Sequence, residues 1–401
     1  MLDWQAFKPQ PTSLYQAMPS LWEAACNALH NHGFPTKKNE AWRYFPIQKM
    51  HAFQPCTLGK NYTIDQDLPP ELIFCSAEEA LLKYPQHMHE LLNADLPSHG
   101  FEHFNLLFAK ESYFIYLPAN TDLSQGFWQL IQSAIPENKI GNIRIFLLLD
   151  EGSRLNMAQE YSSNSQHPQL NNIVFHIHLR KKAHLDLCLI QNTPNRSSWL
   201  HNLSVVQAAH SHFSIYAFNF AGNLARVQTN VLSQGSETVS NLHCLQLPSS
   251  GSYHDFQATV TLTQPKSKIS QHNHAMIAQR GQSSARVSVI AQPQASQASC
   301  DQKLQSLLLA PGAIANNKPE LEIYCKQIQA KHGSTIGQLD YNALYYLKTR
   351  GFSEALAKAT LMQAFCESFL NQSALQPYAR KLRQLQNTYV KNMFKVSEAL
   401  S

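Results

Sequence analysis

The sequence contains little charge for its length. Asp, Glu, Lys and Arg make up 15% of its 401 residues, well under the roughly 25% that is usual in globular proteins. The net charge is only +5, and the Lys and Arg residues form no long run, which argues against a dedicated nucleic-acid-binding protein. The hydrophobic fraction of 44% excludes wholesale disorder. The length predicts two or three structural units, or one elongated unit with appendages.

The motifs of common enzyme families are missing as well. The sequence has no G-x-x-x-x-G-K-[ST], no G-x-G-x-x-G and no G-x-S-x-G, so the usual signs of a P-loop, a Rossmann site or a hydrolase nucleophile are absent. Its eight cysteines are scattered and form no C-x-x-C pair. We therefore expect free thiols in a reducing compartment rather than a disulfide framework or a zinc site.

Long apolar segments are also lacking. The first residues show no basic segment followed by an apolar one, so no secretory signal is visible. The strongest apolar run, Ile143–Leu149, is far too short to cross a bilayer. The sequence thus predicts a cytoplasmic protein that does not enter a membrane.

The first 141 residues are predicted to form a mixed, largely helical region. Leu21, Ala25 and Leu29 recur every four residues, which predicts an amphipathic helix that begins near Pro19 and ends at Gly33. Helical patterns also cover Ala77–Leu92 and Gln125–Ala134.

Residues 142–339 alternate between apolar and polar side chains, as in Asn171–Leu179 and Phe213–Phe220. This period of two predicts strands. Small or polar turn residues recur about every 25 to 30 positions, as expected of a solenoid whose coils stack. A β-sandwich is the alternative, but hairpin signals such as Asn-Gly are weak, so a β-helix is favoured.

Residues 340–401 return to a helical period and predict a C-terminal helical domain. Asp340 can cap a first helix that Gly351 ends, and Ser353 can cap a second. A third helix is predicted from about Leu375 to Ala399. Four residues of the first two helices could form an apolar patch for a partner protein, or could pack the domain itself; they are Tyr345, Phe352, Leu361 and Phe365.

Histidine is unusually frequent, at 19 residues. Three H-x-H pairs fall in predicted strands, where residues i and i+2 share a face and could offer two imidazoles to a metal; they are His176/His178, His210/His212 and His272/His274. No thiol or carboxylate has matching spacing, so solvated polar positions are the preferred explanation for these pairs. The strand region has few acidic residues, which argues against a β-helical enzyme that acts on polysaccharides.

Two blocks of the sequence contain distinctive motifs. The run Ser306–Phe365 contains P-x-L-E-I at Pro319–Ile323, H-G-S-T-x-G at His332–Gly337 and Y-L-x-x-R-G at Tyr346–Gly351. This run closely resembles the C-terminal signature of the SufB/SufD family. The segment Asn39–Ile47, NEAWRYFPI, is similar to the E-x-W-K-Y-x-P segment of the SufD branch. That segment and the chain length favour the SufD branch over the longer SufB branch.

The resemblance implies a right-handed β-helix flanked by helical domains, and a role in building iron–sulfur clusters. Members of the SufD branch are not known to turn over a substrate alone. They pair with SufB through the β-helix and bind the ATPase subunit SufC through the C-terminal helices. The resemblance further implies no tightly bound cofactor in the isolated chain, and iron or a transient cluster at the SufB interface. Cluster type and flavin binding stay open.

His332 matches the family histidine that is proposed to face the cluster-building site, which makes it the candidate metal ligand. By spacing alone, a lone histidine at a turn is also explained as a structural residue. The family's C-S-H-G is Ala330-Lys331-His332-Gly333 here, Lys326-Gln327 replaces a common D-D, and Leu262-Thr263-Gln264 replaces the histidine of H-x-x-P. A thiolate beside His332 would therefore come from SufB.

Three function classes follow from the sequence. The preferred one is a non-catalytic scaffold of the SufD kind. The alternatives are a β-helical enzyme acting on polysaccharides and a structural homo-oligomer. Because an uncovered solenoid edge exposes unpaired backbone groups, we expect a homodimer through residues 142–339 when SufB is absent.

Overall fold

The alternating segments form strands that stack into a β-solenoid. The computed structural model describes residues 19–56, 61–65, 67–93, 98–193 and 196–394. The strands, numbered in chain order, are β1 (Gln54–Pro55), β2 (Tyr62–Ile64), β3 (Ile73–Ser76), β4 (Glu111–Leu117), β5 (Asp122–Ser133), β6 (Lys139–Leu149), β7 (Arg154–Ser163), β8 (Gln169–Leu179), β9 (His184–Gln191), β10 (Ser197–Gln207), β11 (His212–Asn219), β12 (Leu224–Ser233), β13 (Val239–Gln246), β14 (Tyr253–Leu262), β15 (Lys268–Ile277), β16 (Gln282–Ala291), β17 (Ala298–Leu308), β18 (Ile314–Ile323) and β19 (Ile328–Gln338).

Successive strands alternate between two sheets. One sheet has the order β18-β16-β14-β12-β10-β8-β6-β4-β3, with β1 also beside β6, and the other has the order β19-β17-β15-β13-β11-β9-β7-β5-β2. From β4 onward each strand pairs in parallel with the strand two positions later in the chain. A β-sandwich would be built mainly from antiparallel pairs, so the predicted β-solenoid is confirmed.

The parallel ladder begins at Glu111 and so includes residues that the sequence assigns to the N-terminal region. The helix predicted over Gln125–Ala134 is wrong. This segment belongs to strand β5, which pairs with β7 on one side and β2 on the other. Its apolar residues fit a helical spacing by chance, and the two strand partners decide its conformation. The predicted division at residues 141 and 339 stays a prediction.

Turns at one corner of the solenoid adopt a left-handed backbone. Lys182, His210, Glu237, Lys266 and Gln297 have φ between 57° and 65°, a region that non-glycine residues rarely occupy. In each turn the N–H of this residue donates to a carbonyl of the next turn, as from Lys182 to Ala209 and from His210 to Ser236. This hydrogen-bond ladder continues the strand ladders around the corner.

Apolar side chains from both sheets fill the interior of the solenoid. Phe175, Phe213, Leu242 and Val287 belong to one continuous core and are fully buried. Parallel strands in register place each of these side chains directly on the equivalent position of the neighbouring coil. The predicted alternation therefore defines the core.

The N-terminal helices cover the outer face of the ten-stranded sheet. They are α1 (Pro19–His32), α2 (Ala77–Lys83), α3 (Pro85–Leu92) and α4 (Gly100–Phe108). The helix predicted from Pro19 to Gly33 is confirmed, while Ala77–Leu92 is divided at Tyr84 because Pro85 begins a new helix. The buried Arg226 of β12 forms an ion pair with Asp255, and its guanidinium lies 3.8 Å from the centre of the Trp42 ring. The Asn39–Ile47 segment is thereby fixed to the sheet.

The C-terminal helices are α5 (Tyr341–Thr349), α6 (Glu354–Leu370) and α7 (Ala379–Phe394), with a 3-10 turn at Ser373–Tyr378. The helices α6 and α7 cover the outer face of the nine-stranded sheet, whereas α5 has no buried residue. Asp340 and Ser353 cap α5 and α6 through their side chains, as predicted. The third helix begins four residues later than predicted, after the 3-10 turn, and residues 395–399 lie outside the described part. Among the described residues, no helix is long and apolar enough to cross a membrane.

Candidate functional site

The last coil of the solenoid, β18 and β19, has an open edge. In the described residues β18 pairs with β16 and β19 pairs with β17, and neither has a second strand neighbour. Backbone N–H and C=O groups on the free side therefore have no strand to pair with. Such an edge is a template on which another chain can add a strand.

The exposed apolar side chains of the molecule concentrate at the same place. Of nine exposed large apolar residues in the described chain, four lie on the last coil and three on α5; they are Ile314, Ile323, Tyr324, Ile336, Tyr341, Tyr345 and Tyr346. No residue of β19 is buried. Grouped exposed apolar side chains usually mark a protein-binding surface, so this end of the solenoid is the strongest interface candidate.

His332 lies in the middle of this surface. It is exposed on β19 and stands in register with Gln302 of β17. Gln302 faces the interior, where its amide donates to the side chain of Gln271 and to the carbonyl of Glu320. In-register residues of parallel strands share a face, so His332 lies on the inner face of the last coil, where no further coil of the described chain covers it.

The backbone around His332 is open on the other face too. A Cβ added at Gly333 or Gly337 would have no heavy atom within 4 Å. These glycines point away from the interior, since they alternate with His332 and Ile336 along the strand. A partner chain could thus approach β19 along its edge and on both faces.

A thiol of this chain does lie near the position of Ala330. Cys300 is in register with Ala330 on the preceding coil and is buried. Burial, and then the neighbouring Cys325, raise the pKa of the Cys300 thiol to about 12. Cys300 is therefore protonated near neutral pH and is a poor metal ligand in this state.

The four residues predicted to contact a partner ATPase differ in their exposure. Tyr345 is exposed on α5, a helix with no buried residue. Phe352 and Leu361 are half-buried. Phe365 packs against the solenoid, with its ring edge-on to His274 at a centroid distance of 5.3 Å. The free part of the predicted patch is thus the tyrosine-rich surface of α5.

The H-x-H pairs do not converge on a shared metal position. His176 and His178 face outward together, as predicted, but His176 contacts Arg144 and His178 contacts Glu90. His210 occupies a turn. His272 contacts Asp301, whereas His274 packs on Phe365.

The acidic residues of the strand region are held by neighbouring side chains. Asp186 contacts His184, Asp255 contacts Arg226, Asp301 contacts His272, and Glu320 contacts Arg286 and Lys318. Glycoside hydrolysis needs a facing pair of carboxylates with different roles. These four carboxylates are instead distributed over separate pairs with basic or imidazole groups.

Sequence reasoning found His332 but not the apolar residues beside it. Ile323 and Ile336 occupy ordinary inward strand positions, so their pattern is the same as in the buried coils. Their exposure arises because, in the part of the chain that the structure describes, no coil follows them. Tyr324 lies two residues after Glu322, which faces outward in β18. Nothing in the sequence around Tyr324 predicts that its side chain is exposed.

Comparison with known proteins gives a consistent result. Residues 133–365 match the family model described as SUF system FeS cluster assembly, SufBD core domain. An iron–sulfur cluster assembly SufBD family protein of Synechocystis sp. is 23% identical over 404 residues, which cover 90% of this chain and 89% of that protein.

Two further relatives align with a smaller share of this chain. A SufBD family protein of Staphylococcus epidermidis is 22% identical over 322 residues, which cover 78% of this chain and 68% of that protein. The iron–sulfur cluster assembly protein SufD of Escherichia coli is 22% identical over 230 residues, 57% of this chain. This chain spans about half, 54%, of that last protein.

Proposed function

Because this chain belongs to the SufBD core family of the SUF system for iron–sulfur cluster assembly, we propose that it is a non-catalytic scaffold subunit of that system. In this proposal it pairs with a SufB-like paralogue through the last coil of its solenoid. The single observation that carries the proposal is the coincidence, on β18 and β19, of an open strand edge, exposed apolar side chains and His332.

The pairing uses backbone and side-chain contacts together. A SufB-like strand added beside β18 or β19 would satisfy the free N–H and C=O groups. Ile323, Tyr324 and Ile336 would supply the apolar contacts that hold the two solenoids together. When the paralogue is absent, the same edge would pair two copies of this chain, which gives the expected homodimer.

His332 would face the paralogue at the centre of this interface. An imidazole near neutral pH can bind iron or accept a proton from a thiol. Cys300 is buried and protonated, so the thiolates needed for a nascent cluster would come from the paralogue. Iron and sulfide are the cargo of this site, and the last coil of the isolated chain would hold no cofactor tightly.

A SufC-like ATPase would bind the C-terminal helices, with α5 as the contact. Three exposed tyrosines project from this helix, none of whose residues is buried. Tyrosine is enriched among the residues that dominate binding energy at interfaces. The proposal places the nucleotide chemistry in the ATPase and the whole assembly in the cytoplasm.

Co-expression with the SufB-like and SufC-like proteins of the same organism tests the pairing. The tagged wild-type chain should retain both partners. The double variant Tyr324→Lys/Ile336→Lys should lose the SufB-like protein and keep the SufC-like one. Leu82→Lys is the matched control, because Leu82 is equally apolar and 85% exposed but lies on α2. Retention of the SufB-like protein by the double variant would contradict the proposed interface.

The role of His332 needs a separate test. His332→Ala should leave folding and complex assembly intact, since the side chain is exposed, and should suppress cluster formation in a strain that depends on this system. The iron and sulfide content of a target protein is the measurement. Normal growth and cluster content, with the complex verified by pull-down, would assign His332 a structural role only.

A further inference from the structure

Three side chains that could bind a metal meet on the outer face of the nine-stranded sheet, away from the last coil. His184 and Asp186 belong to β9, and His212 belongs to β11. His212 is in register with His184, and Asp186 lies two residues beyond His184, so all three share one face. His212 follows His184 by one coil of the solenoid.

The three groups are close enough to share one ion. His184 Nε2 lies 2.9 Å from Asp186 Oδ2, and the two imidazole rings are nearly parallel at a centroid distance of 4.1 Å. One ligand atom from each residue lies within 4.8 Å of the others. Ligand atoms in a tetrahedral site with bonds of 2.0–2.2 Å are about 3.3 Å apart, a spacing that side-chain rotations can reach.

Neighbouring polar groups orient His212. Its Nε2 lies 2.9 Å from Ser214 Oγ, and Asn241 Nδ2 lies 3.2 Å from the same nitrogen. These two contacts hold the His212 ring on the outer face, beside His184 and Asp186. The side chains of His184 and Asp186 are 33% and 15% exposed, so an ion and a bound water can reach them from solvent.

We propose that His184, Asp186 and His212 form a binding site for one divalent first-row transition metal ion. Two imidazoles and one carboxylate suit Zn²⁺, Co²⁺ or Fe²⁺, whereas Mg²⁺ and Ca²⁺ prefer all-oxygen sites. In the described residues, no other group of three His, Cys, Asp or Glu side chains has ligand atoms this close together. The proposal does not depend on the scaffold function.

The position of the site predicts a structural consequence of metal binding. Asn156 of β7 is in register with Asp186. Its side chain donates to the carbonyl of Ala374 and accepts from the hydroxyl of Tyr378, at 2.9 and 2.8 Å. The proposed ion therefore lies one strand away from the contact that attaches the C-terminal helical region to the solenoid, and binding should stabilise that contact.

The chain contains a second trio of two histidines and one aspartate, which can serve as a control for the proposed site. His272 and Asp301 lie 2.6 Å apart on the same outer face, with His243 stacked on His272 at 4.7 Å. This second trio has the same residue types, but its ligand atoms do not come together as a group of three. Variants of His272 and Asp301 thus control for general effects of removing an exposed imidazole or carboxylate.

Titration of the full chain with Co²⁺ tests the proposal, after any polyhistidine tag has been removed and bound metal chelated. The visible absorption of Co²⁺ should saturate at one equivalent, and Zn²⁺ should displace it. His212→Gln and Asp186→Asn should each weaken binding at least about tenfold, because even the loss of a residue that only hydrogen-bonds a metal ligand costs about 10- to 100-fold. His272→Gln and Asp301→Asn should bind as the wild type does.

Thermal unfolding supplies an independent readout. Zn²⁺ should raise the melting temperature of the wild type and of the Asp301→Asn control but not of His212→Gln, since only binding to the folded state stabilises. The absence of saturable Co²⁺ binding in the wild type would overturn the proposal. Equal affinity in His212→Gln and wild type would overturn it too. If Asp186→Asn fails to fold, His212→Gln, which keeps the His184–Asp186 contact, decides the question.

Discussion

The two ends of the solenoid differ in the length and pairing of their terminal strands. At the first end, the two sheets end in short antiparallel strands, because β2 pairs with three residues of β5 and β3 pairs with four residues of β4. At the last end, β18 and β19 each have one strand neighbour in the described residues. The first end therefore exposes only edge strands of 3 and 4 residues, a length that gives another chain little to pair with, whereas the last end exposes edge strands of 10 and 11 residues.

The side chains follow the same division. Phe114 at the first end is fully buried in a cluster with α2 and α3, whereas Ile336 at the last end is 48% exposed. Burial stabilises a fold, and exposed apolar groups stabilise a complex. The comparison supports the proposal that the first end contributes to the stability of the fold and that the last end contributes to assembly.

The largest expected effect is on stability at the first end. Phe114→Ala should lower the free energy of unfolding by about 3–5 kcal/mol, because it removes a fully buried aromatic ring and leaves a cavity. Ile336→Ala is the matched change at the last end and should cost less than about 1 kcal/mol. Urea denaturation of the isolated chain measures both. Equal losses would show that the last coil is as well packed as the first.

The next effect concerns the helices that follow the last coil. Tyr345→Ala should weaken binding of a SufC-like ATPase by about 2 kcal/mol without lowering the melting temperature, since the side chain is 71% exposed. Phe365→Ala should lower the melting temperature instead, because its ring packs on His274. Calorimetric titration and thermal unfolding separate the two. Unchanged ATPase affinity for Tyr345→Ala would exclude α5 as the contact.

The isolated chain offers a test of the open edge alone. We expect a homodimer at micromolar concentration by light scattering, and Ile336→Lys should shift it towards monomer because a buried unpaired ammonium is costly at an interface. Leu82→Lys should remain as dimeric as the wild type. A monodisperse wild-type monomer would argue that the edge is covered by some other means.

The smallest expected effect is on acid stability at the first end. Hydrogen bonds from His178 and Arg180 lower the pKa of Glu90 in α3 from 4.5 to about 2. Because the folded pKa lies below the unfolded one, the stabilisation is present above about pH 4.5 and is lost as the pH falls towards 2. Glu90→Gln should flatten the decline of melting temperature over this range.

The control for this prediction is Glu354→Gln. Glu354 forms an exposed ion pair with Lys358 on α6, and solvent screens such pairs strongly. This variant should follow the wild-type pH profile closely. A Glu90→Gln profile that also matches the wild type would mean that Glu90 contributes nothing to the attachment of α3.

Local patterns predicted the elements whose conformation depends on local chemistry. Strand alternation, the Asp340 and Ser353 caps and the stop at Gly33 all follow from side chains within a few residues. Strand β5 was mistaken for a helix because its conformation depends on pairing with β7, a segment about 30 residues away. The sequence predicts the approximate positions of the left-handed turns. It does not predict the positive φ of Lys182 and Glu237, because glycine is the residue that usually indicates such a conformation.

The residues of the candidate site also divide into those that a local sequence signal predicts and those that depend on distant parts of the chain. His332 was found through its motif, which is a local signal. The exposure of Ile323 and Ile336 could not be predicted, because it depends on the absence of a following coil and not on their own residue types. The His184–Asp186–His212 cluster was missed since it joins two strands. An alignment of successive coils, which places His184 above His212, would have revealed it.

Hydrogen exchange of the backbone amides tests the central claim most directly, because it reports on the edge strand itself. When the SufB-like paralogue is added to the full chain, the account predicts slower exchange in Ile328–Gln338, the strand β19, and unchanged exchange in Glu111–Leu117, the strand β4 at the first end. Unchanged exchange throughout β18 and β19 in a complex that nevertheless forms would contradict the claim that the open coil is the assembly surface.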